Sequence, residues 1–141
     1  MSTLRVLSVG INSYEDRGLM PLGLAAKDAS CLVDTLLDRW PANWQREAVL
    51  LTSSHEGEEV VSVPGVTTDL ATRNHLLTHL GVSSQRAGPE DLLVFFLAGH
   101  AKYETVEGKL IWYACLDDAD PREPDTMVPL GRMLEELRKC R

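Results

Sequence analysis

The run of seven apolar residues from Leu92 to Ala98 constrains the fold more than any other part of the sequence. Its aromatic and branched side chains favour a strand that is buried on both faces, as in a parallel sheet. Gly99 and His100 follow at once, so the pattern predicts an ionisable ring at the carboxyl end of this strand. Ligands and reacting groups collect at that edge of open α/β sheets. Because an imidazole accepts a proton near neutral pH, His100 is the first candidate for a functional residue.

Strand-like and helix-like segments alternate along the chain. Short apolar runs that end at turn residues predict strands, and apolar residues at helical spacing predict helices. We expect strands over residues 4–10, 48–52, 92–98 and 109–116, and helices over residues 24–40, from a cap at Thr68 or Asp69 to Gly81, and over residues 129–140. This order predicts a three-layer α/β sandwich with a mostly parallel sheet, in a single domain over residues 1–141.

The segments between these elements are expected to be loops. Residues 53–66, which could include a small hairpin near residues 60–63, and the polar stretch after His100 are predicted to lie at the surface. The alternation calls for a further strand after the last helix. We therefore expect the sheet to be incomplete at its C-terminal side, and to be completed by further chain or by a second subunit.

Charge and cysteine content restrict the partners and the compartment. A net charge of −7 disfavours binding to nucleic acid or to an anionic membrane surface. No apolar run approaches the roughly 20 residues that span a bilayer. The three cysteines are odd in number and widely spaced, which favours reduced thiols over a disulfide framework or a zinc site. These features predict a cytoplasmic protein with no nucleic-acid or membrane partner.

Four segments in a fixed order cover nearly the whole chain. Residues 5–14 read R-V-L-S-V-G-I-N-S-Y, residues 21–29 P-L-G-L-A-A-K-D-A, residues 95–101 F-F-L-A-G-H-A, and residues 112–121 W-Y-A-C-L-D-D-A-D-P. They resemble, in order, the first strand with its loop, the "L-x-G-A-x-x-D-A" helix entry, the "F-x-x-S-G-H-G" strand and the "Y-L-L-P-x-D-A-D-P" segment of one clan. That clan is the caspase/metacaspase cysteine peptidases, and the likeness is greatest to its prokaryotic caspase-like members.

The resemblance implies peptide hydrolysis by a cysteine–histidine dyad. His100 would be the general base and acid, and the backbone N–H of Ala101 would help to hold the oxyanion. Ala101 stands where the family has glycine, and Ala98 where it usually has serine. The family's nucleophile lies in a "D-A-C-x-S-G" or "Q-A-C-R-G" motif, and residues 1–141 contain no such motif. The resemblance therefore implies the histidine-bearing part of a catalytic domain, which would be inactive alone. The alternative is an inactive pseudo-protease that acts as an interaction or regulatory module.

Residues 21–29, which resemble the family's helix entry, bear on the substrate preference that the resemblance implies. True caspases bind an acidic P1 side chain with an arginine, and the approximately matching position here is Leu22. Metacaspase-like enzymes use acidic residues to bind P1 arginine or lysine, and one of these matches Asp28. The resemblance thus implies a peptide or protein substrate with a basic P1 residue, bound by the Asp28 carboxylate. A helix-dipole contact is the simpler alternative for Asp28.

The remaining candidate residues have structural interpretations. Cys31 is expected in the core, Cys115 is expected to be a buried strand thiol, and Cys140 to have no catalytic part. His75 and His79 have a zinc-binding spacing but no evident third ligand, so a solvated helix face is expected. Some metacaspases use calcium, which the acidic loops 56–59 and 117–125 could attract, but runs of solvated charges are the preferred interpretation. We therefore predict no metal or cofactor. A flavodoxin-like or nucleotide-binding domain is disfavoured, because residues 10–13 form neither a dinucleotide fingerprint nor a Walker loop.

Overall fold

The protein is described by a computed structural model that covers residues 1–53 and 55–140. Its strands are β1 (Thr3–Gly10), β2 (Gln45–Thr52), β3 (Thr67–Leu70), β4 (Leu92–Ala98), β5 (Ala101–Val106), β6 (Lys109–Ala114) and β7 (Val128–Pro129). Its helices are α1 (Ala25–Arg39), α2 (Arg73–Arg86) and α3 (Leu130–Leu137), and a short 3-10 turn covers Pro124–Thr126.

The main sheet is parallel and is covered by helices on both faces. Its strand order is β3-β2-β1-β4, and every neighbouring pair is parallel. Apolar residues of α1, among them Ala29 and Val33, share one core with Leu4, Val6 and Leu50. On the opposite face, α2 and α3 contribute Leu76 and Met133 to a second core that includes β1. The predicted three-layer α/β sandwich is therefore confirmed.

The strand β4 lies at an edge of this sheet. Val94 and Phe96 pack against one core, and Phe95 and Leu97 pack against the other. All four are only half-buried. The prediction of a fully buried strand was wrong in degree, because in the described part of the chain β4 pairs with β1 on one side only. No described strand pairs with its outer edge.

A second, antiparallel sheet follows His100, where we expected a polar loop. Its strand order is β5-β6-β7. Glu107 and Gly108 join β5 to β6 and have φ values of 50° and 76°, as in the type I′ turns of tight hairpins. The expectation was wrong because the alternating polar and apolar side chains of β5 were not recognised as a half-exposed strand.

The second helix also begins later than we expected. Thr68 and Asp69 lie in β3, which pairs with β2. The cap is Thr72, whose hydroxyl accepts a hydrogen bond from the backbone N–H of His75 (3.2 Å). The helix passes through Gly81 and ends at Arg86. Residues 55–66 contain no helix or strand, so the hairpin considered near residues 60–63 does not form.

Candidate active site at the carboxyl edge of the sheet

His100 lies in the tight connection between β4 and β5, and both of its peptide groups are held in place. Its backbone N–H donates a hydrogen bond to the Tyr14 hydroxyl (2.7 Å). Its carbonyl oxygen accepts a hydrogen bond from the backbone N–H of Cys115 (2.9 Å). The Tyr14 and His100 rings also pack together, with their centroids 5.3 Å apart. The main chain around the imidazole is therefore fixed on two sides.

The imidazole itself is oriented by a backbone carbonyl. Its Nε2 atom lies 2.7 Å from the carbonyl oxygen of Met20. A carbonyl can only accept a hydrogen bond, so Nε2 carries the proton and Nδ1 of the neutral ring has a free lone pair. The loop after β1 reaches this position because it folds back on itself, with the Leu22 N–H bonded to the Asn12 carbonyl (2.6 Å).

Ala101 is the first residue of β5 and lies opposite Ala114. The backbone N–H of Cys115 donates to the His100 carbonyl, so His100 and Cys115 face each other as a hydrogen-bonded pair. In an antiparallel sheet, hydrogen-bonded pairs alternate with pairs whose N–H and C=O groups point away from each other. Ala101 and Ala114 form the next pair, so the N–H of Ala101 is directed away from β6. The strand β5 is at the edge of its sheet, and Ala101 is exposed. Its N–H is therefore available to an external acceptor beside His100.

Asp28 lies in the first turn of α1, at the same edge of the molecule as His100. The helix begins directly against the end of β1, because a Cβ atom on Gly10 would lie 2.2 Å from the Ala25 carbonyl oxygen. Gly10 in turn pairs with Ala98 at the end of β4. The Asp28 side chain is exposed, and no cationic side chain of residues 1–53 and 55–140 pairs with it. Its charge is available to a cationic ligand.

A polar cluster of five residues joins three loops at the same edge. One Glu58 carboxylate oxygen accepts hydrogen bonds from the Ser13 and Ser53 hydroxyls, and the other accepts the His55 N–H (2.9 Å). The His55 ring pairs with the buried carboxylate of Asp117. Sequence reasoning missed this cluster, because its members are far apart in the chain and form no motif.

The cluster shifts the protonation of two of its members. The hydrogen bond to Asp117 raises the pKa of His55, and burial opposes this only in part. Burial disfavours ionisation of Glu58, but the hydrogen bonds from Ser13, His55 and Ser53 outweigh it and lower the pKa of that carboxyl. His55 and Glu58 also line an open cavity of about 290 Å³ at the carboxyl ends of β2 and β3.

Among the hydrogen bonds of the described residues, none joins a cysteine thiol to the His100 ring. Cys115 is buried, as predicted; its thiol donates to the Met127 sulfur (3.7 Å), and burial raises the pKa of that thiol. Cys31 is exposed, so its expected place in the core was wrong. The buried face of α1 consists of Ala25, Ala26, Ala29, Ser30 and Val33, and the helical turn places Cys31 on the other side. Cys140 is half-buried just after α3.

The other charged candidates contact their neighbours. Asp69 lies 3.2 Å from the Nδ1 atom of His75 and 3.5 Å from the Nε2 atom of His79. In the acidic loop after β6, Asp120 pairs with Arg122 (2.8 Å). In the described ranges, no group of three or more histidine, cysteine, aspartate or glutamate side chains is arranged to hold a metal ion. No described helix has the length and apolarity that crossing a membrane requires.

Tyr14 and the Met20 carbonyl were missed by sequence reasoning. Both lie in the segment between β1 and α1, whose glycine and proline residues predict only a loop. A backbone carbonyl leaves no signal in a sequence, whatever residue carries it. Tyr14 could have been noticed as a large amphipathic side chain in a polar stretch, close after the end of a buried strand.

Comparison with known proteins gives a likeness in fold alone. No protein-family model matches the sequence, and no curated protein matches it. The crystal structure of protein GSU0716 from Geobacter sulfurreducens is similar, with a TM-score of 0.70 and 15% sequence identity. The match covers 97% of this chain and 45% of that chain. The present chain thus spans less than half the length of GSU0716, and the two share the α/β architecture.

Proposed function

We propose that this chain is the histidine-bearing part of a caspase-like cysteine endopeptidase that cleaves after arginine or lysine. The observation that carries the proposal is the orientation of His100. The Met20 carbonyl holds the proton on Nε2, which leaves Nδ1 free as a base at the carboxyl edge of a parallel sheet. The sequence motifs around His100, which resemble those of the caspase/metacaspase clan, support the same assignment.

In the proposed reaction, Nδ1 of His100 takes the proton of a cysteine thiol. The thiolate attacks the carbonyl carbon of the substrate, and the N–H of Ala101 donates to the oxyanion that forms. The imidazolium then gives its Nδ1 proton to the leaving amine as the peptide bond breaks. Water, deprotonated by the same nitrogen, hydrolyses the thioester and releases the acid and the thiol. The dyad needs no cofactor or metal for these steps.

The cysteine would come from a segment that pairs with β4. Among the described residues, β4 lacks a neighbour on its outer side. A parallel strand added there would lie about 4.8 Å from β4. Its carboxyl end would then meet His100. This strand would belong to a further part of the same polypeptide or to a second chain.

The exposed Asp28 carboxylate forms no ion pair with a described residue, and a charge-assisted contact to arginine or lysine would satisfy it, which supports a basic P1 residue. The three cysteines are free thiols, which fits the reducing cytoplasm that we propose as the compartment. The alternative is a pseudo-protease that serves as an interaction module. It is favoured by the fact that Cys115, whose backbone touches His100, is buried and paired with Met127.

The test uses the polypeptide or complex in which residues 1–141 occur together with a cysteine-bearing strand. Reporter peptides that differ only in P1, with arginine, lysine or aspartate, are compared. We expect cleavage after arginine and lysine that is abolished in His100→Gln. We also expect Asp28→Asn to lower kcat/KM for these reporters by about tenfold, the loss of roughly one charge-assisted contact.

The outcomes separate the proposals. Cleavage of the aspartate reporter would contradict the role of Asp28 while leaving the dyad in place. Reporter cleavage that persists in His100→Gln would contradict the dyad. An assembly that cleaves no reporter, yet binds a protein partner through this domain, would favour the pseudo-protease.

A further inference from the structure

We propose that Tyr14 is a positioning residue that sets the orientation of His100 relative to the Ala101 N–H. This inference rests on the proposed function, because it concerns the two groups that the peptidase reaction would use. Tyr14 packs against the His100 ring but would take no part in the bond changes. It would act through the peptide bond between Gly99 and His100.

The Tyr14 hydroxyl lies tightly against that peptide bond. It accepts the His100 N–H at 2.7 Å, and only 6% of the Tyr14 surface is exposed. A Cβ atom at position 99 would lie 3.0 Å from the hydroxyl oxygen. Glycine at this position thus leaves space for the hydroxyl, which a Cβ atom would crowd by a few tenths of an ångström.

Tyr14 also completes the set of anchors around His100. The Cys115 N–H holds the peptide plane that follows His100, and the Met20 carbonyl holds the ring. Tyr14 holds the peptide plane that precedes it. Without this third anchor, the preceding plane is no longer held, and a change in its orientation would move the imidazole relative to the Ala101 N–H, which lies in the plane that Cys115 holds. A misplacement of about 1 Å can lower a rate by about 100-fold.

The loop that carries Tyr14 is itself fixed on both sides of the tyrosine. On one side, the backbone N–H groups of Asn12 and Ser13 donate to the Ser53 hydroxyl, at 3.0 Å and 3.2 Å. On the other side, the Glu15 N–H donates to the Asp117 carbonyl (2.9 Å). The polar cluster of Ser13, Ser53, His55, Glu58 and Asp117 therefore supports the position of the phenol from outside the site.

The phenol remains neutral under ordinary conditions. Desolvation by burial raises the pKa of Tyr14 to about 12, although the hydrogen bond from His100 partly opposes the shift. At neutral pH the hydroxyl therefore accepts the His100 N–H as an uncharged group. It adds no charge that would alter the basicity of the imidazole, which is what a group that only positions its neighbour requires.

The first test measures the His100 ring directly in the full chain. Imidazole ¹⁵N shifts report which nitrogen carries the proton and whether the ring is fixed. We expect a fixed Nε2–H tautomer in the wild type and averaged shifts in Tyr14→Phe, which keeps the ring and removes the hydroxyl. Tyr113→Phe is the matched control, because Tyr113 is also buried (8% exposed) and its hydroxyl bonds no described residue. Unchanged shifts in Tyr14→Phe would overturn the inference.

A second variant keeps the inference testable if Tyr14→Phe does not fold. Gly99→Ala retains the tyrosine and places a methyl group against its hydroxyl. We expect the same averaged shifts, with circular dichroism confirming that the fold is retained. A folded Gly99→Ala protein in which the His100 amide exchanges rapidly with solvent, so that its bond to Tyr14 is lost, but whose ring keeps the wild-type tautomer would contradict the role given to Tyr14.

The second test uses the assembly that cleaves the arginine reporter. We expect Tyr14→Phe to lower kcat by about 100-fold with KM within about twofold, and Tyr113→Phe to leave both unchanged. Equal kcat values in the two variants would overturn the inference. Absence of cleavage by the wild-type assembly would contradict the proposed function and would leave the tautomer measurement as the test of Tyr14.

Discussion

His100 is held by residues that lie far from it in the chain. The partners of its backbone N–H and of its ring, Tyr14 and Met20, are 86 and 80 positions away. The loop after β1 therefore has to fold against the end of β4 before the imidazole has a fixed orientation. Gly10, at the end of β1, lets α1 begin directly against that strand, because a Cβ atom there would lie 2.2 Å from the Ala25 carbonyl oxygen.

Gly10→Ala tests this close approach at the scale of one residue. The new Cβ would lie 2.2 Å from the Ala25 carbonyl oxygen and 2.6 Å from the Ala26 Cα, both of which are backbone atoms. We expect the free energy of unfolding to fall by about 3 kcal/mol, since a helix must shift to make room. Gly23→Ala is the control, because its Cβ would meet nothing within 4 Å. Urea denaturation measures both, and equal small losses would contradict the packing of α1 on β1.

The contact between His55 and Asp117 predicts a pH dependence of stability. The folded pKa of His55 lies above its unfolded value of about 6.5, so the contact stabilises the fold fully below that pH. The contribution is then lost as the pH rises through the folded pKa. We expect His55→Gln to cost about 1 kcal/mol at low pH and progressively less at higher pH. Urea denaturation of both proteins from about pH 5.5 to pH 9 gives the difference. A difference that stays constant over this range would contradict the assignment.

At the scale of elements, the sequence predicts those that pack a helical stripe or an uninterrupted run of apolar side chains against a core. The 15-residue helix α1 follows from apolar residues at helical spacing, and β4 follows from an uninterrupted apolar run. The strands β3 and β5 were missed. Their residues are mostly exposed, so pairing with a neighbouring strand defines them rather than burial. An element that depends on its neighbour leaves a weak pattern in its own sequence.

Thr72→Ala tests the boundary that the sequence misplaced. The Thr72 hydroxyl accepts the His75 N–H, one of the amides at the start of α2 without a partner in the helix. We expect a loss of about 1 kcal/mol in the free energy of unfolding. Thr72→Ser retains the hydroxyl, so its free energy of unfolding should stay close to that of the wild type. Thr68→Ala, at an exposed position in β3, is the matched control. If Thr68→Ala lowers the free energy of unfolding more than Thr72→Ala does, the helix begins near Thr68, as the sequence predicted.

At the scale of the whole molecule, the candidate site divides into a part that the sequence predicts and a part that it does not. The strand run and its motifs select His100, and the neighbouring motifs select Ala101 and Asp28. The orientation of His100 depends instead on Tyr14 and on a backbone carbonyl, which only the folded chain brings together. Local patterns therefore identify the chemical groups, and long-range contacts determine whether those groups can work.

The open outer edge of β4 predicts how the chain behaves in solution. Exposed edge strands with apolar side chains pair with other chains, and a lysine on such an edge suppresses the pairing. Leu92 begins β4 and is 39% exposed. We expect the sedimentation coefficient of the wild-type chain to rise with concentration. Leu92→Lys should weaken this association by about tenfold, or ~1.4 kcal/mol.

Val60→Lys is the matched control for that measurement. It introduces the same charge at a position that is 89% exposed but lies in the loop after β2, away from the β4 edge. If both lysine variants weaken association equally, net charge governs it and the edge does not. If the wild-type chain sediments as a monomer at every concentration, the edge does not recruit a second chain, and the place proposed for the cysteine-bearing strand loses its main structural support. If only Leu92→Lys weakens association, the surface on which copies of the chain meet is the one that the missing strand of the proposed peptidase would occupy.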